Sequence, residues 1–432
     1  MKKIVLTLAS VLAATAFAPE AAAVPSFARQ TGMACNSCHF QTFPALTAFG
    51  RSFKAAGYTM MGAEGKIEGE HGLSIPDTLN TSIYIQFRYI KTSGPTPGDG
   101  SGVSTNYGRY DWPDEFSMFM GGRVSEGIGF LTELSLMNPA GGAGVKMPIM
   151  FDAGNMKVGL VPYSTGGLGA GYGFDVFATG SNGGGRITEN GMGYSAALYM
   201  GSTNNPAATG VALVAVNDDF HVNLSQYTSL GSLTSANKLG GTYLRAGWTP
   251  NIGGMDVGVG LQNWSGDSTW SANTAVVVPK KEDKLMVIDG QAQGEMGGMP
   301  VGLYASYGTA AASTAATTNN YNAGTKSKTA LGMMADVWVI PGTLGLQVGM
   351  MRANTGLVDA AGANETDNSI SLGARYKLRQ NVKLGWAYTK FSGTAYNAGG
   401  SGGANSANYA TTMAGTPERG TKRMTLILSA GL

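Results

Sequence analysis

The chain has only two cysteines, three positions apart and followed directly by a histidine, in Cys35-Asn36-Ser37-Cys38-His39. Two thiols at that spacing can each form a thioether to one vinyl group of a haem, which leaves the adjacent imidazole under the iron as proximal ligand. The same residue types serve two other chemistries. A redox disulfide of the Cys-x-x-Cys kind calls for a βαβ setting, and a zinc site calls for further ligands. Neither setting surrounds the motif, so the spacing predicts one covalent haem c on Cys35 and Cys38, with His39 on the iron. A second axial ligand must come from elsewhere. Thioether and imidazole both bind haem iron, which makes Met60, Met61, His71 and, more remotely, His221 the candidates. The Met60/Met61 pair is favoured, although most of the 22 methionines must be ordinary apolar filler. His71 stands in a polar stretch, where a solvated loop is the plainer reading.

These side chains need elements to hold them. Pro44 suits the first turn of a helix, Leu46, Phe49 and Phe53 fall on one face of it, and Gly57 can close it. That stripe suits packing on a porphyrin or on protein alone. The stretch from Val24 to Thr78 is too short for a core of its own and must borrow one.

Lys2 and Lys3 precede an apolar run from Ile4 to Ala18 that ends in Ala21-Ala22-Ala23, the pattern of a secretory signal with cleavage before Val24. Residues 1–23 are therefore expected to be a signal peptide, 24–78 a c-type cytochrome domain, and 79–432 a membrane-embedded barrel. Only 13% of the residues are charged, about half the share of an ordinary soluble domain, and Gly reaches 66 of 432. A formal net charge of +2 offers no basic face, so nucleic acid is not expected as a partner.

From Leu79 onward apolar and polar residues alternate in runs of about ten, separated by Gly/Ser/Thr/Asn-rich loops. Ile83, Ile85, Phe87 and Tyr89 alternate with Tyr84, Gln86 and Arg88. Ile370, Leu372, Ala374, Tyr376 and Leu378 do so with Ser369, Ser371, Gly373, Arg375 and Lys377, and Val382, Leu384, Trp386 and Tyr388 form a third apolar set. The last run is Met424 to Leu432. Short turns are expected near Ser125-Glu126, Gly154-Asn155, Asp218-Asp219, Pro341-Gly342 and Gln380-Asn381. Long loops are expected over Thr92–Pro113, Ser265–Asp283, Thr309–Lys328 and Ser392–Gly420. The fold class is thus all-β, a transmembrane outer-membrane barrel of about 16 to 18 antiparallel strands with a small N-terminal α-helical haem segment. Hairpin counting favours about 18, and Gly180–Met192 resists parsing.

Parity turns Arg88, Arg123, Glu133, Arg245, Asp336, Arg375, Lys377 and Lys383 into the lumen, where mixed charge suits a plug and haem propionates, or equally a generic porin lining. Loop carboxylates at Asp99, Asp111, Asp114, Asp267, Asp359, Glu365, Asp367 and Glu418 offer hard oxygen ligands to a passing cation but no dedicated site. The Gly399-Gly400-Ser401-Gly402-Gly403 match to a hydrolase elbow lacks its strand–turn–helix context.

Val24-Pro25-Ser26-Phe27-Ala28-Arg29-Gln30-Thr31-Gly32-Met33-Ala34 leads into the haem motif, and Phe43-Pro44-Ala45-Leu46-Thr47-Ala48-Phe49-Gly50-Arg51, Phe53-Lys54 and Gly57-Tyr58 follow it. Over residues 24–58 this resembles the fused monohaem cytochrome–porin iron oxidases, outer-membrane c-type cytochromes of iron-oxidising bacteria; over the barrel the resemblance is architectural. It implies the outer membrane of a Gram-negative bacterium, a barrel of about 16 strands, Fe(II) as extracellular electron donor and a periplasmic c-type cytochrome as acceptor. A single carrier inside a barrel insulates the electron from solvent, and Fe(III) made outside precipitates outside. Two alternatives accompany this expectation: a solute-diffusion porin with a haem-bearing plug, and electron flow in reverse to external acceptors.

Overall fold

The computed structural model describes residues 26–93, 108–137, 144–180, 186–188, 193–201, 207–229, 238–269, 280–359, 361–396 and 421–432. The expected signal peptide, Asp99, Glu418, most of the last long loop and the Gly399–Gly403 match lie outside the described residues.

The chain closes into one antiparallel barrel. Its strands are β1 (Thr81–Thr92), β2 (Gly108–Ser125), β3 (Ile128–Ser135), β4 (Gly144–Lys146 resumed at Ile149–Ala153) and β5 (Met156–Thr165). After a long loop come β6 (Ala208–Val216), β7 (Phe220–Thr228), β8 (Gly241–Trp248 resumed at Asn251–Ile252), β9 (Met255–Gly266) and β10 (Leu285–Met296). The circuit ends with β11 (Met299–Ala310), β12 (Lys328–Ile340), β13 (Leu344–Val358), β14 (Asn364–Arg379), β15 (Val382–Ser392) and β16 (Lys422–Gly431). β16 pairs with β1, Leu426 opposite Tyr89 and Leu428 opposite Phe87, so no edge remains. β4 and β8 break where Pro148 and Pro250 remove a ladder donor.

Sixteen strands replace the eighteen favoured by hairpin counting. The surplus came from the region between β5 and β6, where Gly180–Met192 resisted parsing. Its described residues fold inward as a loop with a short helix, α4 (Ala196–Gly201), and add no barrel strand. The five expected short turns all join strands at the end where the chain enters β1 and leaves β16. Two more, at Gly253-Gly254 and Gly297-Gly298, have both glycines at positive φ, as two-residue hairpin turns of the primed type require. The expected loop Thr92–Pro113 is shorter than read, because β2 begins at Gly108 and takes in Asp111, Trp112 and Pro113.

Burial runs opposite to that of a soluble protein. Ile370 and Leu372 are 52% and 55% exposed on the outer face, while Ser371 between them is 1% exposed. The same inversion recurs at Leu224 against Asn223 and Ser225, and at Tyr388 against Thr389. A continuous apolar exterior around a hydrogen-bonded closed sheet is stable only in lipid. The chain is therefore a porin-like outer-membrane β-barrel. Among the described residues no helix is long and apolar enough to cross a membrane.

Candidate functional site

Ahead of β1 lie α1 (Ser26–Thr31), α2 (Cys35–Cys38) and α3 (Ala48–Ala55), then a small exposed hairpin pairing Lys66–Glu68 with Ser74–Pro76. α2 is little more than one turn, which puts both free thiols at its ends; His39 caps it, its N–H bonded to the Cys35 carbonyl. α3 starts later than the sequence suggested. Ala48, rather than Pro44, is its first residue, and Thr47 is its N-cap, accepting from the Gly50 N–H at 3.1 Å; Gly57 closes the turn at φ +69° as expected. The Leu46/Phe49/Phe53 stripe is split. Phe53 is buried, whereas Phe49 is 38% exposed.

Glycine sets the spacing between the motif and α3. A Cβ at Gly50 would stand 2.0 Å from the Cys38 carbonyl oxygen. Thr47 adds to this packing, donating from Oγ1 to the Ser37 carbonyl at 2.8 Å. Phe27, Phe53 and Tyr58 form a small aromatic cluster, with Phe27 stacked on Tyr58 at 4.9 Å and edge-on to Phe53 at 5.2 Å. The rest of this segment's core is borrowed from the barrel: Ser26 donates to Ser82 and to the Phe119 carbonyl, and Phe27 lies against Gly121.

Further ties run around the turn-bearing end of the barrel. Arg51 grips Asp256 with two bonds of 2.8 Å. The Gly342 N–H donates to Gln41 at 2.7 Å, and Arg375 lies 3.4 Å from the Thr42 hydroxyl. Gly57 meets Gly129 so closely that a Cβ on the latter would fall 1.9 Å from the Gly57 carbonyl oxygen. Together these contacts set residues 26–60 across the inner face of the wall from β2 to β14.

The donor set suits a haem c. Both thiols are free and half-buried. His39 Nδ1 is buried on the side of Pro44 and Ala45 without a bond of good geometry, and a metal-bound histidine needs its second nitrogen turned toward such an acceptor. Burial, helped by the Lys383 ammonium, pushes its pKa down to about 4 against the pull of those backbone groups. The ring is thus neutral at pH 7, the form that binds metal. Burial, and the Cys35 sulfur next, raise the Cys38 thiol. Around the motif Phe43, Phe49 and Met33 are 45%, 38% and 37% exposed, apolar surface of the kind a porphyrin covers, and the Phe43 ring lies 5.5 Å from His39.

The distal candidates separate. Met60 and Met61 are half-buried beside α1, where the Met60 carbonyl accepts from Gln30 at 2.7 Å. His71 is exposed at the tip of the small hairpin, away from the motif in sequence and in burial. His221 is 2% exposed on β7, edge-on to Phe177 at 4.9 Å. Of the four, the methionines keep their place as candidates by proximity to the motif in the chain.

Sequence parity placed the lumen charges but gave no hint of what they meet. Arg245 is fully buried between Asp175, 3.3 Å away, and Asp289, 2.9 Å away. Asp175 belongs to the inward loop, which the Lys54 ammonium of α3 also holds, at the Asp175 carbonyl. The loop then crosses the lumen. Asn223 donates to the Phe174 carbonyl, the Ala178 N–H to Gln291, the Ala196 N–H to Ser306, and Tyr199 to Asp367. Phe174, Ile187, Ala196 and Met200 are at most 1% exposed. Of the loop carboxylates proposed for cations, Asp114 pairs with Arg88, while Glu365 and Asp367 are buried on Thr355 and on Tyr199 and Tyr396. Those three serve the barrel mouth's own structure. Among the described residues no group of His, Cys, Asp or Glu could hold a separate metal ion.

No family model matches the chain, and no curated protein does. Solved structures of similar fold include OmpT of Vibrio cholerae, at 10% identity and TM-score 0.49 over 85% of this chain and all of that one. OccAB3 of Acinetobacter baumannii (10% identity, TM-score 0.43) and a BenF-like porin from Pseudomonas fluorescens Pf-5 (10% identity, TM-score 0.41) each match over 82% of this chain and 99% of their own. At such values they share an outline with this chain, and its barrel rests on its own strand pairing.

Proposed function

We propose that this barrel is an outer-membrane electron-transfer protein that oxidises extracellular Fe(II) and passes the electron, through one haem c on Cys35, Cys38 and His39, to a periplasmic c-type cytochrome. Its activity is that of an iron:cytochrome c oxidoreductase. The observation that carries this reading is the position of the Cys35–His39 turn, at the turn-bearing end of a barrel whose lumen is packed beyond it by the inward loop. Haem bound there supplies a one-electron centre.

The chain's own residues would do the rest. Cys35 and Cys38 would fix the group covalently, and neutral His39 would bind its iron. Phe43, Phe49 and Met33 offer it an apolar cover that excludes water. Met60 or Met61, as a further ligand, would raise the potential relative to histidine, which would favour taking electrons from a donor as weakly reducing as Fe(II). The packed loop keeps bulk water and solutes out of the route. A second reading, a solute-diffusion porin in which the haem segment is only a plug, is favoured by the polar inner wall at Asn223, Ser225, Gln262 and Ser371.

The deciding experiment mixes purified, oxidised protein with Fe(II) under anaerobic conditions and follows the c-type absorption bands. Prompt reduction, lost in C38S and in H39A, supports the iron-oxidising reading. A c-type spectrum unmoved by Fe(II) moves the assignment to another donor or to reversed electron flow, and a wild-type protein with no haem spectrum leaves the porin.

A further inference from the structure

We infer that the outward-facing cations Lys91, Arg352, Lys390 and Lys422, at the long-loop end of neighbouring strands of the barrel wall, bind the phosphorylated glycolipid of the outer leaflet through its phosphate groups. The site is on the outside of the barrel and stands independently of the haem reading.

Parity puts these side chains on the lipid side, and register puts them at one height. On β15 the outward series runs Leu384, Trp386, Tyr388, Lys390, and on β16 it runs Leu428, Leu426, Met424, Lys422. Both are apolar until the last member. β13 turns basic in the same way at Arg352 and β1 at Lys91, while β14 between them turns to neutral Asn368. Tyr388 and Tyr89 stand one step below the cations, as the interface aromatics of a membrane barrel do, so the cations lie where the hydrocarbon ends. The long-loop end of such a barrel faces outward, which makes this the boundary with the outer leaflet.

Lys390 and Lys422 are register partners. Partners in register have Cβ atoms about 5 Å apart, and like charges so placed repel. Lys91 is opposite Met424 and so diagonal to Lys422, at about 7–8 Å. Arg352 is opposite Asn368, two strands from Lys390 and about 10 Å across the wall. The wall itself carries no outward counter-charge. β1, β13, β15 and β16 contain neither Asp nor Glu, and the two acids of β14, Glu365 and Asp367, are buried on the inner face. At the long-loop end of the opposite wall, β5 to β8, the outward groups are neutral and bond one another, Ser164 with Thr209 and Gln226 with Thr242. The positive arc is thus a property of one side of the barrel. Lipid A, the glycolipid that forms the outer leaflet, carries a phosphate at each end of a glucosamine disaccharide, and a phosphate monoester bears close to two negative charges at pH 7. One phosphate meets the three lysines. The other meets Arg352, whose guanidinium suits bidentate phosphate binding, and the acyl chains run down the apolar series beneath. Asp99 and Glu418, in the loops that follow β1 and precede β16, lie outside the described residues and are included in the test.

The test titrates the purified barrel, in non-ionic detergent, with bisphosphorylated lipid A and counts bound lipid by native mass spectrometry. Each change to Gln removes one of several repelling surface charges and so leaves the barrel able to fold, which its folded mobility on electrophoresis checks. K91Q, R352Q, K390Q and K422Q should each raise the dissociation constant roughly fivefold. K390R and K422R should stay near wild type, and K157Q, the same loss of charge at the turn-bearing end, should leave binding unmoved. Lipid A stripped of its phosphates should bind wild type and K390Q/K422Q alike, and weakly. Equal affinity of wild type and K390Q/K422Q for intact lipid A overturns the inference, as does an equal loss in K157Q. Displacement of the lipid by millimolar inorganic phosphate overturns it too, since the site would then be one for the free anion. So does a protein that takes up lipid A only after D99N or E418Q, which would make those carboxylates the partners of the lysines.

Discussion

At the scale of single residues, the Cys35–His39 motif stands out in the sequence because its groups are local: thiol, thiol and imidazole lie within five positions. Lys54 does not, because its partners belong to a loop far along the chain and to the burial that loop creates. Burial pushes its pKa from 10.5 down to about 8, with the nearby Asp175 charge pulling back up. The unfolded chain keeps the ordinary value, so between pH 8 and 10.5 it binds more protons than the folded chain. Stability must rise with pH across that window, by roughly 3 kcal/mol at most from this one group. Urea unfolding in detergent at pH 7.5, 9 and 10.5 should show the rise in wild type and a slope smaller by up to one proton in K54M. An identical slope in the two proteins would mean that Lys54 titrates as a solvated lysine and does not carry its charge into the packed lumen.

Elements were readable to the degree that period alone defines them. Two-residue alternation placed the inner and outer faces of β1, β14 and β15 correctly, because a strand has only two faces and lipid demands one apolar set. Strand number was less legible, since the inward loop is as apolar as a strand: Phe174, Val176, Phe177 and Ile187 carry β propensity but spend it on filling the lumen. The helix after the motif was displaced for a related reason. Pro44 can begin a helix, but the chain uses residues 40–46 to fold back on the motif, Phe40 bonding Ala45 and His39 bridging Leu46, and only then lets Thr47 cap α3. The close packing of α3 on the motif gives a sharp test. In G50A the added methyl meets the Cys38 carbonyl, a rigid backbone atom, so the helix must move away. A loss of about 1–3 kcal/mol in the stability of this segment is expected. The measurement is haem content per folded barrel together with protease resistance of residues 26–64: both should fall in G50A while the barrel keeps its folded mobility on electrophoresis. Full haem content and full resistance would show that the two helices are not held in this contact.

For the whole molecule, the issue is whether the barrel conducts matter or only charge. Its wall is that of a pore, closed and lined with hydrogen-bonding side chains, and a bare barrel of 16 strands leaves an aqueous channel. Two independent pieces of chain occupy that space. Residues 26–60 lie across the turn-bearing end, tied to the wall by Arg51 and Asp256, and the inward loop crosses the middle, tied by Arg245, Asn223, Gln291, Ser306 and Asp367. The two meet at Lys54, whose ammonium bonds the Asp175 carbonyl and lies 5.5 Å from the Phe174 ring. A diffusion pore needs at most one constriction, and a packed apolar second layer defeats it. Electron transfer has the opposite requirement, since dry, rigid packing lowers reorganisation and keeps water from the carrier. In planar bilayers the wild-type protein should therefore pass little current. Replacing residues 170–200 with a short glycine linker should open steps of porin size only when D256A also loosens the first layer, the two changes together exceeding the sum of each alone. Large steps from the unaltered protein would show that solutes cross both layers, and would make conduction, with residues 26–60 as its gate, the main activity of the barrel.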